Sequence, residues 1–442
     1  MKTFAMGGVH PEENKISTEA VIEQMPLPAQ VVVLMNQHLG APATPIVAKG
    51  DKVRVGQLIA EAQTFMCANI HSPVSGTVAK IDTCRDFTGM AKPAIYINVE
   101  GDDWVEDIDR TPTIVRECNL EPKEIVAKLK EKGIVGLGGA TFPAHIKYSL
   151  PEGKKAEYLI INAVECEPYL TSDHRVMLEH AEEICIGVSI LRKALGVPNA
   201  YIGIECNKPE PIRVMTQMAN GFEGIIVEPL KMKYPQGAEK QLINAITGRR
   251  VPSGKLPIDV GCVVSNVGTA FAVYEAIQKN KPLIENILTV TGKKLPSQHN
   301  YQCRIGISYN DIIKQSIGEL PATTGKVISG GPMMGKAISN LDAPTTKGAS
   351  SVLVMDEAEA LRHPESNCIR CGKCMHACPM GLEPYLFSAF VKNGRFDDAK
   401  QHNILDCIEC GCCFFSCPAH KPLLDEIRLG KNKVRAMMAP KK

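Results

Sequence analysis

The sequence predicts a multidomain α/β protein that closes in a helical, cysteine-rich domain. Three observations predict it. Short Val- and Ile-rich runs broken by Gly and Pro fill residues 31 to 99. Strand and helix patterns alternate from about 133 to 277. Two cysteine runs of one spacing occupy residues 368 to 418. A chain of 442 residues is too long for one core, which divides these patterns among several domains.

Composition narrows the function classes. Apolar content of 44% with 22% charged residues is that of a soluble globular protein. A net charge of +2, without basic blocks interleaved with aromatics, excludes a nucleic-acid role. Eight of the 17 cysteines lie in the two runs, and the rest are scattered singly from Cys67 to Cys412, which fits a reducing compartment. The start has no apolar core for a signal peptide. The longest uncharged apolar stretch, Val260 to Tyr274, is broken by Ser265, Asn266, Gly268 and Thr269 and is shorter than the roughly 18–20 residues a span needs. Any membrane association is therefore expected to be peripheral, through partners.

In chain order, residues 1–25 are polar and predict an extended arm. Residues 26–105 predict a β-module. Residues 111–280 begin with a charged segment and the helical pattern from Pro122. A buried strand at Glu157 to Asn162, a helix from Glu179 to about Leu195 and a strand at Ala200 to Ile204 then indicate a largely parallel sheet. Residues 283–355 predict a small β-rich domain with one helix, Asn310 to Gly318, whose glycine suits a C-terminal cap. Residues 358–430 hold the cysteine runs with helical patterns between them. Residues 431–442 form a basic end with Lys431, Lys433, Arg435, Lys441 and Lys442, expected as a solvated, mobile tail; contact with anionic lipid or an acidic partner is the alternative.

The cysteine runs carry the most specific chemistry. Cys368, Cys371, Cys374 and Cys378-Pro379 repeat as Cys407, Cys410, Cys413 and Cys417-Pro418, each C-x2-C-x2-C-x3-C-P. This is the ligand run of a two-cluster ferredoxin, in which the fourth cysteine of each run serves the other cluster. One [4Fe–4S] cluster is assigned to Cys368, Cys371, Cys374 and Cys417, the other to Cys407, Cys410, Cys413 and Cys378. Zinc accounts for C-x2-C pairs but not for four cysteines per run with a repeated Cys-Pro. Cys412 is expected to be a non-ligand thiol.

Upstream, Gly133, Gly136, Gly138 and Gly139 lie between a strand-like Ile-Val and a helix entered at Pro143. Backbone N–H groups approach an anion only where no side chain intervenes, so this loop predicts a phosphate cradle, with a packing turn as the alternative. It is not G-x-G-x-x-G, and a Rossmann site is not indicated. Glu165 and Glu167 lie at i and i+2 past a strand end, where open α/β sheets bind ligands. In an extended segment both would face one way, suiting ribose or ribityl hydroxyls; a solvated acidic loop is the alternative.

These residues carry a family resemblance. Gly136-Leu-Gly-Gly-Ala-Thr-Phe-Pro-Ala-His-Ile-Lys147 resembles the flavin loop GRGGAGFPxGLKW of the NADH-oxidising subunit of respiratory complex I. Asn162-Ala-Val-Glu-Cys-Glu-Pro168 is similar to that subunit's NADExEPG, Tyr234-Pro-Gln-Gly237-Ala-Glu239 to its YICGEE, and Val264-Ser-Asn266-Val-Gly-Thr269 to its VNNVET. Residues 283 to 340, with Gly330-Gly-Pro332, resemble the β-grasp domain, of the SLBB type, that follows there. Val47 to Glu61 with Ile70 to Val78 resembles the barrel-sandwich hybrid of biotinyl and lipoyl carriers. No carrier lysine stands at Thr64 to Ala68, so a structural or docking role is expected.

Over nearly the whole chain, from Gly7-Gly-Val-His10-Pro-Glu-Glu-Asn14-Lys15 onward, the sequence resembles the C-subunit family of the Rnf complex, a membrane-bound ferredoxin:NAD oxidoreductase that pumps Na+ or H+. The resemblance implies an FMN/NADH-binding α/β domain and a helical two-[4Fe–4S] ferredoxin domain. It implies FMN, NAD(H) and two [4Fe–4S] clusters as cofactors, and the membrane and ferredoxin-like Rnf subunits as partners. The implied location is the cell membrane, peripheral on the cytoplasmic side. Gly136, Gly138, Gly139 and Lys147 would hold the FMN phosphate. Asn162, Glu165, Gly237, Glu239 and Asn266 would hold the rest of the flavin, Phe142 and Glu167 would face the nicotinamide nucleotide, and Ala140 and Tyr234 would also belong to the cofactor site. Leu137, Val164 and Ala238 replace a family Arg, Asp and Glu, so flavin potential or affinity is expected to differ. A cobalamin reductase of the propanediol-utilisation type, or a non-enzymatic electron-wire or scaffold subunit with a decayed nucleotide site, are the rival readings.

Overall fold

The computed structural model describes residues 1–438. The N-terminal arm does not hang free. Phe4 is buried under the Lys233 ammonium, Lys2 bridges to Leu230 and Val9 to Tyr234. Strand β1 (Ile22–Gln24) then adds a parallel edge to a sheet formed almost 300 residues later, pairing Ile22 with Asn300. A short polar segment gives no hint of this in sequence, because the pairing is through backbone groups.

The β-module is two small sheets built from β2 (Gln30–Leu34), β3 (Thr44–Pro45), β4 (Lys52–Val53), β5 (Leu58–Glu61), β6 (Ile70–His71), β7 (Gly76–Arg85) and β8 (Ala91–Val99). Their orders are β2-β8-β7-β4 and β3-β5-β6. Alternation sets the buried face, with Val31 opposite Ile97 and Val33 opposite Ile95. Where a carrier domain bears its lysine, the β5–β6 connection presents an exposed Phe65. Beside it, Leu39 N–H donates to the Thr141 carbonyl at 3.2 Å, so this end of the module rests against the glycine loop.

The α/β domain contains α1 (Pro122–Glu131), α2 (Ala144–Tyr148), β9 (Tyr158–Asn162), α3 (Ser172–Glu179), α4 (Ala181–Leu195), β10 (Ala200–Glu205), α5 (Pro209–Ala219), β11 (Ile225–Leu230), α6 (Glu239–Thr247), β12 (Cys262–Asn266) and α7 (Val267–Gln278). Its strands run in the order β11-β10-β9-β12, all parallel. Leu159, Ile160 and Ile161 are all buried because helices cover both faces. The helix expected from Glu179 starts at Ala181, and α3 precedes it. Helix α4 crosses α7 so closely that a Cβ at Gly187 would lie 1.9 Å from the Ala270 carbonyl oxygen.

The third domain has β13 (Glu285–Thr291), β14 (His299–Arg304), α8 (Tyr309–Ile317), β15 (Thr324–Ser329), β16 (Lys336–Ala337) and β17 (Ser351–Asp356), in the sheet β1-β14-β13-β17-β15-β16. Ser308 caps α8 by accepting from Asp311 N–H, and Gly318 ends it. Leu288, Val290 and Tyr301 join Val31, Val33 and Ile95 in one apolar cluster, so this domain and the β-module share a core.

The last domain has α9 (Glu357–Ala360), α10 (Lys373–Ala377), α11 (Pro384–Lys392), α12 (Phe396–Gln401), α13 (Cys412–Phe415) and α14 (Leu423–Met438). The tail expected to be solvated from residue 431 is instead the continuation of α14, whose Ile427 and Val434 pack with Phe387, Phe390 and Val391. Lys431 is buried there, its ammonium 2.6 Å from both the Cys407 carbonyl and Glu409 Oε1. The amphipathic spacing outweighed the basic composition; Lys441 and Lys442 lie outside the described residues. No helix among the described residues is long and apolar enough to cross a membrane. Gly187→Ala should destabilise the α/β domain by about 3 kcal/mol through overpacking at the α4–α7 crossing, read from its unfolding transition in denaturant.

Candidate functional site

Strand order creates the site. The chain lays β10 and β11 on one side of β9 and returns to put β12 on the other, so the carboxyl ends of β9 and β12 flank the switch-point crevice. Asn162 and Asn266 end those strands as register partners. Asn266 Oδ1 accepts the N–H groups of Gly268 (2.8 Å) and Thr269 (3.3 Å), capping α7, while its Nδ2 donates to Asp173 at 2.8 Å. Asn162 Nδ2 donates to the Gly237 carbonyl at 2.8 Å, bringing in the segment that leads into α6.

The glycine loop arches over this end. Gly136 N–H closes its base on the Phe142 carbonyl at 2.9 Å, and Leu137 N–H donates to Thr269 Oγ1 at 2.9 Å. A Cβ at Gly138 would sit 3.2 Å from Asn266 Cβ. Gly138, Gly139 and Ala140 are exposed, and no atom lies within 4 Å of where a Gly139 side chain would begin. That bare floor beside the α7 N-terminus fits a phosphate group. Lys147 is placed differently from expectation. Its ammonium donates to the Val264 carbonyl at 2.7 Å and pairs with Glu239 at 3.3 Å, because two acceptors at the β12 and α6 ends compete for it.

The acidic pair diverges. Glu165 has a left-handed backbone (φ 48°), so the segment turns where an extended chain was expected and Glu165 and Glu167 face opposite sides. Glu165 Oε1 accepts Asp173 N–H at 2.7 Å, while its Oε2 is buried without a hydrogen-bond partner, 3.8 Å from the Lys15 ammonium. An orphaned acceptor in a ligand crevice fits a flavin hydroxyl or ring N–H. Asp173 is a site residue the sequence reading missed. Burial and then the Glu165 charge push its carboxyl up to about 7. Its only sequence signal is an acidic residue in the first turn of a helix.

Glu167 does not face the crevice. Its carboxylate accepts from Met333 N–H (3.1 Å) and Met334 N–H (2.8 Å) of the third domain, and burial pushes it up to about 7. Tyr234 also departs from expectation: its hydroxyl donates to the Cys410 carbonyl at 2.8 Å and lies 3.3 Å from Glu167. Glu167 therefore ties this segment to the third domain, and Tyr234 ties it to the cysteine domain. The three family departures have local reasons. Val164 is fully buried in an apolar cluster, Leu137 packs against the main core, and Ala238 is the N-cap position of α6.

The two cysteine runs fold alike. Arg370 and Glu409, each just before the second cysteine, and Gly372 and Gly411, each just after it, all have positive φ. Short helices α10 and α13 then start at equivalent points. Cys378 crosses to the other run, so Cys378, Cys407, Cys410 and Cys413 line one cavity with Leu382, Phe387 and Ile427, and Cys412 lines it too. Leu382 N–H and Glu409 N–H donate to the Cys378 and Cys407 sulfurs at 3.4 and 3.3 Å. An apolar cavity that gathers the four assigned thiols, two of them receiving N–H···S bonds, fits a [4Fe–4S] cubane. Cys412 is fully buried with Val9, Tyr234 and Ala377 on the side of the α/β domain. Cys374 and Cys417 are half-buried neighbours, and Cys368 and Cys371 are exposed. The arm fills the seam: Gly8 N–H donates to the Ala377 carbonyl at 2.9 Å, and a Gly7 Cβ would lie 2.5 Å from the Cys378 carbonyl.

Family models match this layout in segments: the RnfC barrel sandwich hybrid domain over residues 3–102, the Nuo51 FMN-binding domain over 129–275, and a 4Fe-4S dicluster domain over 360–418. They define the class, an electron-transfer protein that joins an FMN-binding domain to an iron–sulfur domain. The chain is 46% identical over 99% of its length, and 95% of the relative's, to the C subunit of the proton-translocating ferredoxin:NAD(+) oxidoreductase complex of Clostridium ljungdahlii. It is 41% identical to the C subunit of the Na(+)-translocating complex of Acetobacterium woodii, over 97% of this chain and 96% of that one. With the C subunit of the ion-translocating oxidoreductase complex of Rhodobacter capsulatus it shares 40% identity, over 98% and 84%. The chain belongs to this C-subunit family of ion-translocating oxidoreductase (Rnf) complexes. An NAD+-reducing [NiFe]-hydrogenase structure in the air-oxidized state shares the fold, with TM-score 0.50 and 18% identity over 73% of this chain and 68% of that one.

Because native Glu167 is held above the ordinary 4.5, the folded state binds the proton more tightly than the unfolded state. Stability should therefore fall as pH rises from about 4.5 to about 7. Glu167→Gln should shrink the loss of stability between pH ~5 and ~8 by about 2 kcal/mol, measured by chemical denaturation at each pH.

Proposed function

We propose that this chain is the peripheral, NAD(H)-reactive subunit of a membrane ferredoxin:NAD+ oxidoreductase that couples electron transfer to Na+ or H+ movement. The observation that carries this reading is the direct seam between the switch-point crevice and a buried cysteine cavity, made by Tyr234 and the Cys410 carbonyl. Gly136, Gly138, Gly139 and Ala140 would hold the FMN phosphate. Asn162, Glu165, Gly237 and Asn266 would hold the rest of the flavin, with Phe142 toward the nicotinamide nucleotide. When bound, FMN exchanges a hydride with NAD(H) and one-electron equivalents with iron–sulfur clusters.

The chain's own residues position and insulate that chemistry. Glu165 offers a free acceptor oxygen, and Asp173 holds a proton near neutral pH within the same hydrogen-bonded set. Lys147 and Glu239 close the side of the crevice at α6. Two [4Fe–4S] clusters would be held by Cys378, Cys407, Cys410 and Cys413, and by Cys368, Cys371, Cys374 and Cys417. Packing of Cys410 against Tyr234 and Val9 supports the first set's being nearer the flavin, and exposure of Cys368 and Cys371 supports the second set as the exit. The exit would serve other subunits of the complex, on the cytoplasmic face of the membrane. The shared core of β-module and third domain favours this reading over a cobalamin reductase, where that module is not expected.

Anaerobically purified protein should contain FMN that bleaches with NADH, followed by reduction of both clusters. Cys410→Ser should leave flavin bleaching intact yet stop electrons from NADH reaching the remaining cluster, whereas Cys371→Ser should leave the inner cluster reducible, both followed by EPR. Absence of FMN, or of bleaching, would sink the dehydrogenase reading. Equal behaviour of the two variants would sink the cluster order.

A further inference from the structure

We propose that Lys15, on the N-terminal arm, is a positioning residue for the flavin crevice: its ammonium fixes the Glu165–Leu170 turn and thereby aims Glu165. The inference rests on the flavin reading above and adds a residue far from that site in sequence.

The geometry is specific. The largely buried Lys15 ammonium lies 2.9 Å from the Glu165 carbonyl, 2.8 Å from that of Glu167 and 2.6 Å from that of Leu170. An ammonium has three protons, so all of them are spent on one turn. The three carbonyls converge because Glu165 (φ 48°) and Tyr169 (φ 71°) are left-handed, a conformation that persists in non-glycine residues only when the surroundings impose it. Neighbouring arm residues join the same segment. Tyr169 N–H donates to the Glu13 carbonyl at 2.8 Å, and the Ser17 and Thr171 hydroxyls are 2.7 Å apart. From the opposite side, Lys208 donates to the Val164 carbonyl at 2.8 Å.

The turn decides where the Glu165 side chain goes. Held as it is, Glu165 places Oε1 on Asp173 N–H at 2.7 Å and leaves Oε2 buried and without a hydrogen-bond partner beside the Asn266–Asp173 pair. Without the ammonium, the Glu167 and Leu170 carbonyls would lose this donor and the Glu165 carbonyl would keep only the 3.5 Å contact to Lys208, and the turn would open toward the extended form. Glu165 would then leave the crevice. The Lys15 charge, 3.8 Å from Oε2, also offsets the carboxylates that line this end.

The test uses the full chain, reconstituted anaerobically, with Lys15→Met and, as a control elsewhere on the arm, Lys2→Met, whose partner is Glu228 at 2.7 Å. Two measurements are made. Hydrogen exchange of the Tyr169 and Asp173 amides reads the turn without any flavin, and titration with FMN plus the flavin midpoint potential reads the crevice. Lys15→Met should speed exchange at both amides tenfold or more, weaken FMN binding tenfold or more and move the potential, while Lys2→Met changes none of these. Unchanged exchange would overturn the proposal. So would faster exchange with wild-type FMN affinity and potential, which would make Lys15 a tether only. A wild-type chain that takes up no FMN would instead overturn the flavin reading and the positioning role with it, while exchange still reports whether Lys15 holds the turn.

Discussion

The pairing of β9 with β12 is the constraint from which the site follows. Parallel strands buried on both faces must be apolar along their length, so polar chemistry is confined to their ends. Asn162 and Asn266 stand side by side at that boundary, one holding the lead-in to α6 and the other capping α7. Asp173 is held directly by Asn266, and Gly138 of the glycine loop packs against the same side chain. A register slip between the strands would separate the asparagines and dismantle the crevice while leaving the core composition unchanged.

Around this centre, the irregular segments are held by one recurring device, a buried lysine whose ammonium caps carbonyls that have no sheet partner. Lys15 and Lys208 do so for the turn after β9. Lys347, from the third domain, donates to the Asn69 carbonyl of the β-module at 2.8 Å and to that of Gly133 at the glycine loop's entrance at 2.6 Å, joining three domains. Lys431 does the same for Cys407. Charge-assisted bonds to carbonyls offset part of the cost of burying the ammonium. The remainder shows in Lys347, which burial pulls down to about 7, and in Lys15, pulled down to about 8 by burial and then by Lys208.

The arm is the second organising element. From Phe4 to Gln24 it crosses the α/β domain, fills the seam against Ala377 and Cys378, pins the Glu165 turn and ends as an edge strand of the third domain. It thus touches both halves of the electron-transfer site. Tyr234 reinforces the same seam from the other direction by donating to the Cys410 carbonyl, while Glu167, accepting two backbone N–H groups, fixes the third domain beside it.

Much of this was legible in residues alone, where the chemistry is local. The C-x2-C-x2-C-x3-C-P spacing dictates a turn that wraps a cluster, and both runs adopt the same left-handed pattern around the second cysteine. The crossed assignment of Cys378 follows from that spacing, and Cys378 does line one cavity with Cys407, Cys410 and Cys413; Cys412 lines it as well, so the cavity does not by itself separate that thiol from the assigned four. Alternation of strand and helix likewise determined the parallel sheet, and bare glycines the loop. Tertiary structure decided what depends on long-range contact. Glu165 and Glu167 look like a matched pair until a left-handed residue, held by an ammonium from 150 positions away, turns them apart. Lys147 bonds the Val264 carbonyl and Glu239, Tyr234 faces the cysteines, and residues 431–438 continue a packed helix. Local spacing points to a ligand set because three of its four cysteines lie within one turn, whereas the direction of a buried charged side chain is settled by whichever distant backbone groups also need a partner.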